Sequence, residues 1–228
     1  MNPKFFVKIG GSLMNDLKSL DFFLSKLNTI LGQGLILNVG SGVLGEAYKK
    51  WISQRENFHL DYHTSVKNWS LIQLINTNVV ISINKTFVLC SSKEDIENAI
   101  ELNRNAIVDP VLFSEELSNY NLNTSDLKAA YLCKKLECGE LIIFTDVDGI
   151  YTHDPKESPF AEKIAYISAN SLVHMGRTSL DKGMGELLQD YHLHCKVVGI
   201  DAFLSDNVKN SQDLAKLGTD IYWEEKNE

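Results

Sequence analysis

The sequence predicts an α/β protein with a mainly parallel sheet that carries helices on both faces. Short apolar runs alternate along the chain with longer segments of helical periodicity. Several of these runs are continuously apolar, which is typical of strands buried on both faces. Two of the runs lead into glycine-containing turns that open helices. This order of elements is that of strand–helix–strand units, whose strands lie parallel in one sheet.

The predicted strands are runs of three to five residues rich in β-branched, leucine and aromatic side chains. Most of them lie in the first two thirds of the chain. They cover residues 5–9, 35–39, 79–83, 87–90, 106–108, 141–144 and 196–200.

Helices are predicted where apolar residues return every three or four positions. Residues 16–31 show this period most clearly, and Gly32 and Gly34 then end the helix. The polar run at residues 118–124 predicts a loop, which would divide a single domain (1–228) into two lobes of about residues 1–120 and 121–228. The other predicted helices cover residues 46–52, 65–76, 93–102, 125–136, 179–191 and 213–217.

Composition and charge exclude several classes of function. The 228 residues are 44% hydrophobic, and the formal net charge of −8 comes without the basic stripe of a nucleic-acid-binding protein. The four cysteines contain no C-x-x-C pair, which indicates reduced thiols. No apolar run approaches the roughly 20 residues that span a bilayer. We therefore expect a cytoplasmic protein without a nucleic-acid or membrane partner.

The first chemical motif is Lys8-Ile9-Gly10-Gly11-Ser12, directly after an apolar run. Phosphoryl transfer needs positioning and a cation that neutralises the transferred group, and a lysine at a strand end supplies one. Glycines let the backbone approach a phosphate closely. The pattern differs from the P-loop G-x-x-x-x-G-K-[ST]. A tight turn beside a surface lysine would contain the same residues.

A second glycine turn, Gly40-Ser41-Gly42, also follows an apolar run and opens a helix. Alone it fits a simple strand–helix turn. Two such junctions in one sheet are more informative. An enzyme that transfers a phosphoryl group between two substrates needs one cradle for the donor phosphates and another for the acceptor.

The third motif is a polar turn, Asn123-Thr124-Ser125-Asp126, at the start of a predicted helix. One interpretation is a helix cap with an acidic residue in the first turn. The other is that Asp126 holds a catalytic lysine while the turn lines an acceptor pocket.

The fourth motif, TDVDGIYTHDPK at residues 145–156, follows the most apolar run of the second half. An acidic turn at the carboxyl end of a strand predicts a binding crevice. Its carboxylates can accept hydrogen bonds from ribose hydroxyls, and an acidic surface turn is the alternative. The D-x-D pattern lacks the oxygen ligands of a calcium loop.

Taken in order, these four motifs and Gly218-Thr219 resemble the amino acid kinase family over nearly the whole chain. The resemblance implies a three-layer αβα sandwich around a largely parallel sheet of about eight strands. It also implies an ATP-dependent kinase, with ATP in the C-terminal half and an anionic small-molecule acceptor in the N-terminal half.

The resemblance further implies a role for each motif. Lys8 would contact the transferred phosphoryl group, and Asp126 would orient that lysine. Mg²⁺ would bridge the ATP phosphates without assigned protein ligands. The residues expected to bind the nucleotide are Gly10, Gly11, Ser12, Thr145, Asp146, Asp148, Gly149, Tyr151, Asp154 and Lys156. Those expected to bind the acceptor are Gly40, Ser41, Gly42, Asn123 and Thr124.

The acceptor expected from the resemblance is a phosphate monoester. Uridylate kinases share most of the fourth motif but carry Arg-Gly after the second glycine turn, where this chain has Gly45-Glu46. Isopentenyl phosphate kinases have a histidine at the position of Glu46. The segment 178–181 and the compact length favour 5-(aminomethyl)-3-furanmethyl phosphate, the acceptor of a methanofuran-pathway kinase. UMP and isopentenyl phosphate are the alternatives.

Three questions stay open at this level. The second catalytic lysine is either Lys156 or Lys182. Because Ser41 replaces the middle glycine of the family's usual triplet, a nucleotide-binding protein that stores oxyanions or regulates without turnover is an alternative of another class. The family analogy also implies a homo-oligomer, a dimer or larger.

Overall fold

The computed structural model describes residues 5–54, 60–120, 122, 124–175 and 178–225. Within these residues, eight strands form one sheet in the order β3-β4-β2-β1-β5-β9-β10-β8. All neighbouring strands are parallel except β9 and β10. The strands of this sheet are β1 (Phe5–Ile9), β2 (Ile36–Val39), β3 (Phe87–Cys90), β4 (Asn105–Val108), β5 (Glu140–Thr145), β8 (Tyr166–Ser168), β9 (Cys195–Gly199) and β10 (Thr219–Tyr222). A separate antiparallel pair consists of β6 (Ile150–Tyr151) and β7 (Lys163–Ile164).

Helices connect most of these strands. Side chains at several helix starts accept backbone N–H groups as caps; in α4, Ser92 accepts from Asp95 N–H at 3.0 Å. The helices are α1 (Leu17–Leu31), α2 (Gly42–Ser53), α3 (Tyr62–Ile83), α4 (Lys93–Glu101), α5 (Ser114–Asn119), α6 (Ser125–Lys135), α7 (Ala169–His174), α8 (Met184–Tyr191), α9 (Ile200–Leu204) and α10 (Ser211–Ala215).

The sheet lies between two layers of helices. Phe6 and Ile143 belong to a hydrophobic cluster that includes residues of α4 to α8. Their strand neighbours Val7 and Ile142 belong to a second cluster, with residues of α1, α9 and α10. Because successive strand residues face opposite sides of a sheet, these two clusters are the cores on its two faces. The predicted fold class, a mainly parallel eight-stranded sheet in a three-layer sandwich, is confirmed.

Two predicted elements are wrong in type or length. Residues 79–83, predicted as a strand, are the last turns of α3, where only Val80 is fully buried. A short apolar run cannot be assigned to strand or helix by its period alone, and the long helix that precedes it decides. The helix predicted from residue 179 begins instead at Met184, because Gly183 takes a φ of 96°. The lobe boundary near residue 120 stays a prediction.

The prediction also omitted the short elements of the second half, among them β8 and β10, which complete the sheet. None of the helices in the described residues is long and apolar enough to cross a bilayer.

Candidate active site

The candidate site lies where three parallel strands end side by side. In the sheet, β1 pairs with β2 on one side and with β5 on the other, so Ile9 lies between Val39 and Phe144. The chain then turns at both glycine motifs. Gly10 N–H donates to Phe144 O at 2.8 Å, and Gly40 N–H donates to Ile9 O at 2.9 Å. The two turns are therefore tied to the same sheet edge.

The two glycine turns touch each other through their backbones. A Cβ atom on Gly11 would lie 2.1 Å from Gly42 N, and one on Gly42 would lie 2.7 Å from Gly11 O. Gly42 also has a φ of 56°, in the left-handed region that favours glycine. Side chains at these two positions would force the turns apart, so their glycines serve close packing of the site.

Amides from α3 hold the second turn from behind. Gln73 Nε2 donates to Val39 O at 3.0 Å, and Asn76 Nδ2 donates to Gly40 O at 2.8 Å and to Ser41 O at 2.9 Å. Both amides are buried. Sequence reasoning missed them, although two amides in an otherwise apolar helix segment were a usable signal.

Lys8 and Asp126 form a buried ion pair at the centre of the site. Lys8 Nζ lies 2.7 Å from Asp126 Oδ1, and the two residues are 7% and 5% exposed. Lys8 lies on the same face of the sheet as Phe6, and α6 covers this face. Asp126 is in the first turn of α6. The pair thus brings together the two residues for which a catalytic role was predicted.

Asp181 adds a second carboxylate beside this pair. Its backbone N–H donates to Asp126 Oδ2 at 3.2 Å. Burial and the negative charge of Asp126 raise the pKa of the Asp181 carboxyl above its ordinary value. No cleft role was predicted for Asp181, because it lies in a segment that was predicted to be helical.

Around the ion pair, an open cleft of about 600 Å³ joins the predicted donor and acceptor residues. Glu46 of α2 also lines this cleft. The predicted residues that line this cleft are Lys8, Gly10, Gly11, Ser12, Gly40, Ser41, Gly42, Asp126, Thr145 and Asp146.

A second cavity, of about 260 Å³, adjoins the cleft and shares Asp146 and Ser179 with it. Four further residues from the predicted nucleotide set line it, and Thr178 closes one side. Their side chains and backbone come from the turn that follows β5. These four are Gly149, Tyr151, Asp154 and Lys156.

Two predicted contacts have a structural role, and a third lies outside the described residues. The carboxylate of Asp148 accepts Gly199 N–H at 3.0 Å and lies 2.8 Å from Lys163 Nζ, so it holds the turn together. Thr124 caps α6 by accepting Leu127 N–H at 3.5 Å. Asn123 lies outside the described residues. Their roles as ligand contacts stay predictions.

The two candidate second lysines lie in different places. Lys156 lines the second cavity and its Nζ is 3.0 Å from Asp146 Oδ2. Lys182 lines a third cavity, together with Leu172 and Met175, which shares Asp181 with the cleft and Thr178 with the second cavity. The choice between the two lysines stays a prediction. Within the described chain, no cluster of three or more histidine, cysteine or acidic side chains could hold a metal by itself.

The model of the amino acid kinase family matches residues 3–199. The chain belongs to the amino acid kinase family. This membership confirms the resemblance found in the four motifs, and it identifies the protein as an ATP-dependent phosphotransferase acting on small molecules.

Relatives of this protein within the family are named for different phosphoryl acceptors. A [5-(aminomethyl)furan-3-yl]methyl phosphate kinase from Methanocaldococcus jannaschii is 29% identical over 198 residues, which cover 84% of this chain and 86% of the relative. A uridylate kinase from Thermococcus sibiricus is 38% identical over 68 residues, 30% of each chain. A solved uridylate kinase from Archaeoglobus fulgidus superposes with a TM-score of 0.74 at 19% identity, over 96% of this chain and 99% of that one. The last likeness shows a shared fold.

Proposed function

We propose that this kinase transfers the γ-phosphoryl group of ATP to a phosphate monoester that also carries an amine. The observation that carries the proposal is the buried Lys8–Asp126 pair, which lies in one cleft with both glycine turns and with the acidic turn after β5.

Lys8 is suited to stabilise the transferring group. An ammonium has three N–H donors, and the Asp126 carboxylate lies 2.7 Å from it as a counter-charge. The N–H groups can reach phosphoryl oxygens in the cleft, where they would offset the charge of the transferring group. A phosphate acceptor is already an anion, so the reaction needs no general base. Asp126 holds the Lys8 side chain at the cleft.

The cleft also fits a magnesium nucleotide. Asp154 and Lys156, with backbone around Tyr151, frame the adjoining cavity, and Gly10 and Gly11 offer close backbone approach to phosphates. Mg²⁺ neutralises phosphate charge and commonly uses one or two carboxylates beside phosphate oxygens. Asp146, on the boundary between cleft and cavity, is such a donor.

Glu46 supports an amine on the acceptor. It lines the cleft together with Asp181, whereas the Asp126 carboxylate is paired with Lys8, and an ammonium on the acceptor would offset the charge of Glu46. The name of the Methanocaldococcus jannaschii relative describes an acceptor with both a phosphate and an aminomethyl group. UMP is the second candidate, because the segment shared with the uridylate kinase of Thermococcus sibiricus reaches 38% identity.

The test is ADP release from MgATP with each of four acceptors: 5-(aminomethyl)-3-furanmethyl phosphate, UMP, isopentenyl phosphate and an acidic amino acid. We expect turnover with the amine-bearing phosphate. Lys8→Met should abolish it, whereas Lys134→Met, at an exposed position on the same helix as Asp126, should not. Turnover with UMP alone would overturn the proposed acceptor. Nucleotide binding without ADP release in the presence of any of the four acceptors would favour a storage or regulatory protein.

We also propose that the kinase works as a homo-oligomer in the cytoplasm. Apolar side chains of α2 and α3, including Trp51 and Ile75, are more than half exposed, which supports burial against another copy. The four cysteines are free and buried, which supports a reducing compartment. Light scattering of the wild type and of Ile75→Lys tests the assembly: a monomeric wild type would contradict it.

A further inference from the structure

Asn38 is a polar residue inside an otherwise apolar, buried strand. It lies between Leu37 and Val39 in β2 and is 3% exposed. Among the described residues, its Oδ1 atom has no hydrogen-bond partner. A buried acceptor without a partner costs folding free energy, so its presence in a core strand calls for an explanation.

Asn105 shows how the same fold satisfies a buried asparagine. It lies in β4, next to β2, and is fully buried. Its Oδ1 accepts Leu35 N–H at 3.3 Å, and its Nδ2 donates to Asn28 Oδ1 at 2.6 Å. Asn105 therefore has a structural role that accounts for its burial, whereas Oδ1 of Asn38 has no such partner among the described residues.

The register of the sheet places Asn38 directly beside Lys8. The two residues are Cα partners in the parallel β1–β2 pair. Neighbouring strands lie about 4.8 Å apart, and paired residues in a parallel sheet face the same side. Asn38 thus lies on the face that α6 covers, on the opposite side of Lys8 from β5. It also comes two residues before Gly40, where the acceptor turn begins.

We propose that Asn38 is a positioning residue for Lys8 during phosphoryl transfer, an inference that rests on the proposed function. When the ammonium turns toward the transferring group, the amide oxygen of Asn38 accepts one of its three N–H groups. Asp126 stays beside the ammonium as its counter-charge, and the remaining N–H groups are left for phosphoryl oxygens. A neutral amide can direct the ammonium and leave its positive charge available for the reaction. A second carboxylate at this position would cancel that charge.

Nucleotide binding tests the proposal without an acceptor. The Kd values of MgADP and of the magnesium complex of AMPPNP, which keeps a γ-phosphoryl group, are measured by calorimetry. Asn38→Leu should weaken AMPPNP binding about 10-fold and leave MgADP binding unchanged, because only AMPPNP reaches Lys8. In the double variant with Lys8→Met, the loss should be no larger than in Lys8→Met alone, because both changes remove one interaction.

Three outcomes would count against the proposal. Unchanged AMPPNP binding in Asn38→Leu would overturn the positioning role and leave the proposed function intact. Losses that multiply in the double variant would show that Asn38 acts independently of Lys8. A wild type that binds neither nucleotide would overturn both proposals.

A stability comparison separates positioning from folding. Asn38→Leu removes an unsatisfied buried amide, so its melting temperature should stay the same or rise, whereas Asn105→Leu removes two hydrogen bonds and should melt lower. With an accepted phosphate, Asn38→Leu should lower kcat about 100-fold at an unchanged KM for the acceptor. A higher KM with unchanged kcat would instead make Asn38 an acceptor contact.

Discussion

Lys128 is a buried cation of α6, and we expect its replacement by methionine to stabilise the protein at neutral pH. The residue is 4% exposed, so most of its side chain is removed from water. Burial lowers the pKa of this lysine from 10.5 to about 8. Methionine keeps an unbranched stem and removes the charge.

The size and sign of the effect follow from this pKa. Each pKa unit corresponds to about 1.4 kcal/mol, so burial of the charged form costs on the order of 3 kcal/mol below pH 8. Between pH 8 and 10.5, the unfolded chain binds the proton more tightly than the folded protein does. The free energy of unfolding of the wild type therefore rises with pH across this window. Lys128→Met removes both the cost and this part of the pH dependence.

Urea unfolding at pH 7 and at pH 10 measures the difference. At pH 7, we expect Lys128→Met to raise the free energy of unfolding by about 2–3 kcal/mol, and at pH 10 by much less. The control Lys134→Met, at an exposed position of the same helix, should change it by less than about 0.5 kcal/mol. A destabilised Lys128→Met at pH 7 would refute the reasoning, since it would mean that the charge is stabilised in the folded protein.

Three further predictions concern the cleft. Asp126→Asn leaves the Lys8 ammonium buried without its counter-charge and should lower the free energy of unfolding by about 3 kcal/mol; a change below about 1 kcal/mol in urea titrations would contradict a buried pair. Gly11→Ala places a methyl group against Gly42 N, so AMPPNP binding should be lost and the melting temperature lowered; normal binding would mean that the turns can separate. Asp181→Asn should raise the melting temperature at pH 7, because the raised pKa of Asp181 means that the wild type loses stability as pH rises through that pKa. The gain should shrink toward pH 3.5, and a gain that is independent of pH would exclude titration of Asp181 as its cause.

Local sequence patterns predicted much of the fold and much of the nucleotide side of the site. The glycine turns and the TDVDGIYTHDPK motif each lie within a few residues of a strand end, so strand order alone brings them to one sheet edge. The Lys8–Asp126 contact joins residues far apart in sequence, and the motif order of the family made it predictable. The strand predicted at residues 79–83 failed because a short apolar run has no period that separates strand from helix.

The residues that the prediction missed act through tertiary contacts. Gln73 and Asn76 are informative only once α3 is known to pass behind the second turn, and Asp181 only once its segment is known to cross Asp126. Asn38 stands out only when the register places it beside Lys8. Sequence periodicity reports which face of an element is apolar, but it does not report which elements meet.

The donor and acceptor sides of the site differ in how freely their residues can be substituted, and this difference affects how acceptor choice can vary in a kinase of this fold. On the donor side, the turn after β5 is one continuous segment, in which a change at Asp148 would disturb the turn that it holds through Gly199. On the proposed acceptor side, Glu46 of α2 lines the cleft from an exposed position. Substitution of Glu46 therefore changes the charge of the acceptor pocket at little cost in stability. We expect Glu46→Arg to lose the amine-bearing acceptor while it keeps MgATP affinity and the melting temperature of the wild type, and a parallel loss of all three would place Glu46 in the structural frame.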